Sequence, residues 1–79
     1  MTLSEERAAA VQRVDANLRA MPAMVDAIDA DFTTWVLYVD AAGDKNRRIE
    51  SGTRKSLKAR IATMRQVLDE AESLLNATT

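Results

Sequence analysis

Residues 11–42 read VQRVDANLRAMPAMVDAIDADFTTWVLYVDAA. Through Val11, Val14, Leu18, Met21, Val25, Ile28, Phe32, Trp35, Val39 and Ala42 the steps alternate three and four without a slip. That alternation holds apolar side chains on one face of a helix, and it is the seam pattern of helices packed along their length. Phe32, Trp35 and Tyr38, the only aromatic residues, fall in its last third. Pro22 stands in its middle, with no N–H for the carbonyl of Leu18 and a ring that crowds it. A break there needs linker residues and a fresh cap. Leu18, Arg19, Ala20, Met21, Ala23 and Met24 include no Ser, Thr, Asp, Asn or Gly. The stretch therefore predicts one long helix, about residues 4–42, kinked near Met21.

Its second half, Pro22 to Ala42, is apolar over a wide arc. A row of smaller residues, Ala23, Ala27, Ala30, Thr34, Leu37 and Ala41, lies beside the large ones. Such width predicts burial against more than one neighbour. Thr33-Thr34-Trp35-Val36-Leu37-Tyr38-Val39 is also rich in β-formers. Paired with Arg47-Arg48-Ile49-Glu50 it would make a helix–hairpin–helix plan that resembles the small phage head–tail joining proteins. The unbroken apolar period favours the helix.

Upstream, Ser4 is the expected helix start, with Glu5 and Glu6 against the positive helix end. Downstream, Gly43 is expected to end the helix in a left-handed conformation. Residues 43–52, GDKNRRIESG, read as the loop, with Asp44 capping a short turn and Ile49 pinning it. Ser51 or Thr53 begins a second helix of about residues 53–76. Its stripe is Leu57, Ile61, Met64, Leu68, Ala71 and Leu75, widened by Val67 and Leu74. Residues 76–79 are expected to fray. The fold class is all-α, a helical hairpin or bundle in a single domain spanning residues 1–79.

Length sets a further condition. A helix over residues 4–42 is roughly 58 Å long and one over 53–76 roughly 36 Å. Folded back, the shorter helix leaves Val11, Val14 and Leu18 without a cover. Either the kink at Pro22 is sharp enough to make a three-helix bundle, or these three pack on another chain. The second is favoured, so they are the expected oligomer interface, most simply of a homodimer. A chain of 79 residues builds a marginal core, which oligomerisation commonly completes.

Composition narrows the chemistry. There is no Cys and no His, so disulfides, thiolate or imidazole metal sites and Cys- or His-based catalysis are excluded. Carboxylates such as Asp26, Asp29 and Asp44 have no ligand spacing, and no nucleophile or orienting partner accompanies them. The chain reads as non-enzymatic, with no cofactor and no metal. The first residues are charged and no apolar run approaches a signal peptide or membrane span, so a cytoplasmic protein is expected.

Net charge is −1, yet the charges are segregated. Between Ala20 and Gly43 stand Asp26, Asp29, Asp31 and Asp40 and no base. Between Lys45 and Arg65 stand Lys45, Arg47, Arg48, Arg54, Lys55, Lys58, Arg60 and Arg65 against Glu50 alone. In a hairpin the two sets face one another, and exposed pairs of this kind are worth about 0–1 kcal/mol each. The basic run is also the segment a small nucleic-acid-binding accessory would use. It has no aromatic residue for stacking, so nucleic acid is not the expected partner. Rigid rows of carboxylates imitate a phosphate backbone and fit a basic nucleic-acid-reading surface. Asp26, Asp29, Asp31 and Asp40, with Tyr38 as an off-stripe aromatic anchor, are the candidate protein-binding residues.

The window DFTTWVLYVDAAG, residues 31–43, resembles a segment of the small phage-encoded anti-CRISPR proteins that inhibit type I-E systems. Asp31, Phe32, Trp35, Tyr38, Val39, Asp40, Ala42 and Gly43 carry the match, about a sixth of the chain. The resemblance implies a compact helical protein without enzymatic activity that docks where a larger host complex reads DNA. The expected function is thus a phage or mobile-element inhibitor binding a host nucleic-acid-binding complex. Beside it stands a coiled-coil structural protein of phage assembly, which the long heptad stripe also suits.

Overall fold

The structure, a computed structural model, describes residues 2–77. Thr2 starts the first helix, α1 (Leu3–Tyr38), two residues before the expected Ser4. The reason is a reciprocal cap. The Glu5 amide donates to Thr2 Oγ1 and the Thr2 amide donates to Glu5 Oε2, each at 3.2 Å. Two otherwise orphaned donors are satisfied at once, which Ser4 alone does not offer. Glu5 and Glu6 then lie in the first turn.

α1 continues through Pro22 as one element. The β-forming residues Thr33 to Tyr38 are helical, so the strand alternative is excluded for this segment. The Thr34 hydroxyl, although exposed, donates to the Ala30 carbonyl at 3.1 Å, bonding back along the helix one turn. α1 stops at Tyr38, four residues before the expected end. The Val39 amide still reaches the Trp35 carbonyl at 2.9 Å, and the Ala41 amide closes the turn onto Tyr38 at 3.2 Å.

Gly43 has φ +105°, the left-handed region expected of it, but its role is to begin α2 (Asp44–Ala77). Its carbonyl accepts the Arg47 amide at 3.0 Å, and Asn46 Nδ2 donates to the Ala42 carbonyl at 2.8 Å. The predicted loop 43–52 is therefore corrected: residues 44–52 are helix and only Gly43 stays outside it. Glycine at position 52 weakens a helix by about 1 kcal/mol relative to alanine. Packing outweighs that, because Ile49, Glu50 and Thr53 are half-buried against the end of α1. The fraying expected at 76–79 is absent at Asn76 and Ala77, which are helical; Thr78 and Thr79 lie outside the described residues.

Starting nine residues early changes what α2 covers. Helices of 36 and 34 residues run roughly 54 and 51 Å, and the pair forms a rod of 58 × 21 × 16 Å. Val14, expected to lie beyond the reach of the second helix, is buried with 8% of its surface exposed. Val67 on α2, at 6%, is the other buried one among the described residues. The described residues thus form a helical hairpin with a thin, linear core.

Candidate docking surface

The seam of α1 is traced by Ala10, Val14, Asn17, Met21, Met24, Ile28, Asp31, Trp35 and Tyr38, which are buried or half-buried. Its steps alternate four and three, as expected, but its phase differs from the sequence stripe. Val14, Met21, Ile28 and Trp35 belong to both. The other half of the stripe, Val11, Leu18, Val25, Phe32 and Val39, is exposed, at 49, 40, 49, 50 and 38%. These residues recur every seven positions, so they form a straight row along one flank. The hairpin has turned the more apolar of two candidate rows outward and closed on Ala10, Asn17, Met24, Asp31 and Tyr38.

α2 explains the choice. Arg60 Nε donates to Asp31 Oδ2 at 2.8 Å and Ser56 Oγ donates to the same oxygen at 3.1 Å. The Asp31 side chain is 24% exposed and that of Arg60 48%. This polar layer fixes the register of the two helices, because sliding one along the other separates the carboxylate from both donors.

α2 has an outward row of its own. Each outer residue on α1 follows a seam residue directly, and Ile61, Leu68 and Leu75 on α2 follow Arg60, Val67 and Leu74 in the same way. Antiparallel helices are related by a two-fold axis perpendicular to the hairpin plane, which keeps equivalent heptad positions on the same side. The two rows therefore share one face. Val39 and Arg54, both on these rows, line one recess near the turn. Arg13 and Glu70, which precede the seam residues Val14 and Ala71, line a recess on the opposite side. Ile61 is half-buried, whereas Leu68 and Leu75 are 50 and 66% exposed.

The aromatic residues link seam to face. Phe32 and Trp35 have ring centroids 5.9 Å apart at 31°. Trp35 is half-buried in the seam, and its buried indole Nε1 makes no hydrogen bond among the described residues.

The acidic residues separate into two groups. Asp26, Asp29 and Asp40 are exposed. Asp31 is tied into the seam, and Tyr38 is half-buried there rather than projecting as an isolated anchor. Of the three residues expected between chains, Val14 is buried within its own hairpin, and Val11 and Leu18 lie on the exposed row. The basic residues Lys45, Arg47, Arg48, Lys55, Lys58 and Arg65 are exposed, while Arg54 pairs with Glu50 at 3.5 Å.

Among the described residues no three carboxylates come together as a metal site, and no helix is long and apolar enough to cross a membrane. No protein-family model matches the chain, nor does any curated protein or solved structure.

Proposed function

We propose that this chain is a non-enzymatic protein-binding protein, a helical hairpin that docks on other protein surfaces through the outward apolar rows of α1 and α2. The observation that supports this reading is the choice of row. Valine, leucine and phenylalanine lie outside while alanine, asparagine and aspartate help to fill the seam. Contiguous exposed apolar surface of this kind marks interaction sites, and a straight helical row suits a groove or another helix. Photo-crosslinking residues placed one at a time at Leu18 and Val25, and at Arg13 and Glu70 on the opposite flank, test it in cells. Adducts from the first pair and none from the second are expected. Equal labelling from both flanks contradicts the reading.

A second reading rests on Asp26, Asp29 and Asp40, exposed in a segment without a base. These carboxylates would dock on a basic, nucleic-acid-reading surface of a host complex, as the resemblance to type I-E inhibitors implies. Charge complementarity acts mainly on association rate, so that binding should fall steeply with salt. Changing all three to Asn keeps shape and removes charge. Binding to a type I-E surveillance complex should then be lost at moderate salt, and persistence of binding removes the inhibitor reading.

A further inference from the structure

We infer that the occupant of the apolar face is a second copy of this chain, packed face to face about a two-fold axis parallel to the rod, so that two hairpins form a four-helix bundle. The inference rests on the docking reading above and names its partner. Three observations carry it.

The first is area. The chain exposes 6076 Å² at 8.7 kDa, whereas a folded monomer of that mass exposes about 4,700 Å². The surplus, about 1,300 Å², exceeds the ~800 Å² that each partner of a standard interface removes from water. One copy, with two buried residues among those described, has the surface of half a bundle.

The second is self-complementarity of shape. Asp31, bonded to both Ser56 and Arg60, sets the levels of the two helices. At those levels Val25 stands between Ile61 and Leu68, and Leu18 between Leu68 and Leu75. A two-fold axis along the rod lays each α1 over the partner's α2 at the same levels, so the staggered apolar rows interdigitate.

The third is charge. Asp29 lies on the edge of the face, one turn from both Val25 and Phe32. On the α2 edge Lys58 and Arg65 stand one turn to either side of Ile61 and are equally exposed. Within one hairpin these edges point away from each other. In the proposed dimer each Asp29 comes level with the partner's Lys58 and Arg65, twice by symmetry. Asp15, at the level of Glu72, is already paired with Arg19 at 2.9 Å. The alternative two-fold, across the rod, stacks α1 on α1 and sets the Asp29 edge against the Asp15 edge of the same helix.

Sedimentation equilibrium of the purified full chain, from micromolar to submillimolar concentration, tests the inference. The unaltered protein should reach twice the chain mass. Leu18→Asp with Val25→Asp should keep its helical circular dichroism and weaken dimerisation by at least about 100-fold. Asp29→Lys alone, and Lys58→Asp with Arg65→Asp, should each weaken it about tenfold, and all three together should restore it. That charge set leaves every apolar residue in place and decides the matter even if the first variant unfolds. A monomer throughout overturns the inference while leaving crosslinking from Leu18 and Val25 to judge the docking reading. A dimer indifferent to the apolar pair, or one that the triple charge reversal does not restore, also overturns it.

Discussion

The two helices are nearly equal in length and unequal in how they use their apolar residues. α2 is strongly amphipathic, with Leu68 and Leu75 as its large exposed apolar residues. α1 carries Leu3, Val11, Leu18, Val25, Phe32, Val36 and Leu37 on its exposed surface. Its apolar residues encircle so much of the helix that its amphipathicity is weak. A helix needs one stripe to pack in a hairpin, and α1 has nearly two. The difference teaches that one helix carries two separate rows, seven-residue repeats that lie side by side: one is used in folding and the other is left exposed, the row for which docking is proposed.

Breaking the seam should have the largest effect. Val67→Asp puts a charge at a residue only 6% exposed. In so thin a core, a penalty of about 3 kcal/mol or more is expected to remove cooperative unfolding, as seen by thermal circular dichroism. Leu68→Asp, one residue along and 50% exposed, should leave the melting curve of the dilute protein within a few degrees of the original. Comparable losses from the two neighbours would erase the distinction between rows.

The polar layer sharpens the comparison at a smaller scale. Asp31→Ala removes the acceptor shared by Ser56 and Arg60. Because Arg60 remains half exposed, the loss should be about 1 kcal/mol in urea denaturation. Asp26→Ala, on the open side of the same helix, should stay within about 0.5 kcal/mol.

The smallest effect is a gain. A Cβ at Gly52 meets nothing within 4 Å, so Gly52→Ala should stabilise α2 by about 0.5–1 kcal/mol. The same change at Gly43, at φ +105°, should destabilise. Opposite signs at the two glycines, read from melting temperatures, would fix where α2 begins.

Helix type and the hairpin were legible in the sequence because apolar period is a property of one segment. The phase was not. On spacing alone, Val11, Leu18, Val25, Phe32 and Val39 outrank Ala10, Asn17, Met24, Asp31 and Tyr38 as a core row. The winner is decided by what the opposite helix offers, and Asp31 finds Arg60 and Ser56 there. The start of α2 was hidden for a related reason. GDKNRRIESG carries two glycines and a charge run, the local signature of a loop, and becomes helix because Ile49 and Thr53 have α1 to pack on. The covered Val14 follows from that earlier start. Of the acidic candidates, Asp26, Asp29 and Asp40 are exposed, whereas the roles of Asp31 and Tyr38 depend on contacts that no single-helix pattern contains.

The sharpest test compares two residues three apart on α1, one on each row, across protein concentration. Urea denaturation of Ile28→Asn and Val25→Asn should be measured first at high dilution and then at submillimolar concentration. Ile28 is half-buried in the seam, and its replacement should cost about 2–3 kcal/mol at both concentrations. Val25, 49% exposed, should be within about 0.5 kcal/mol of the original when dilute and fall well behind it only when concentrated. Equal losses at high dilution would contradict the assignment of one row to folding and the other to docking.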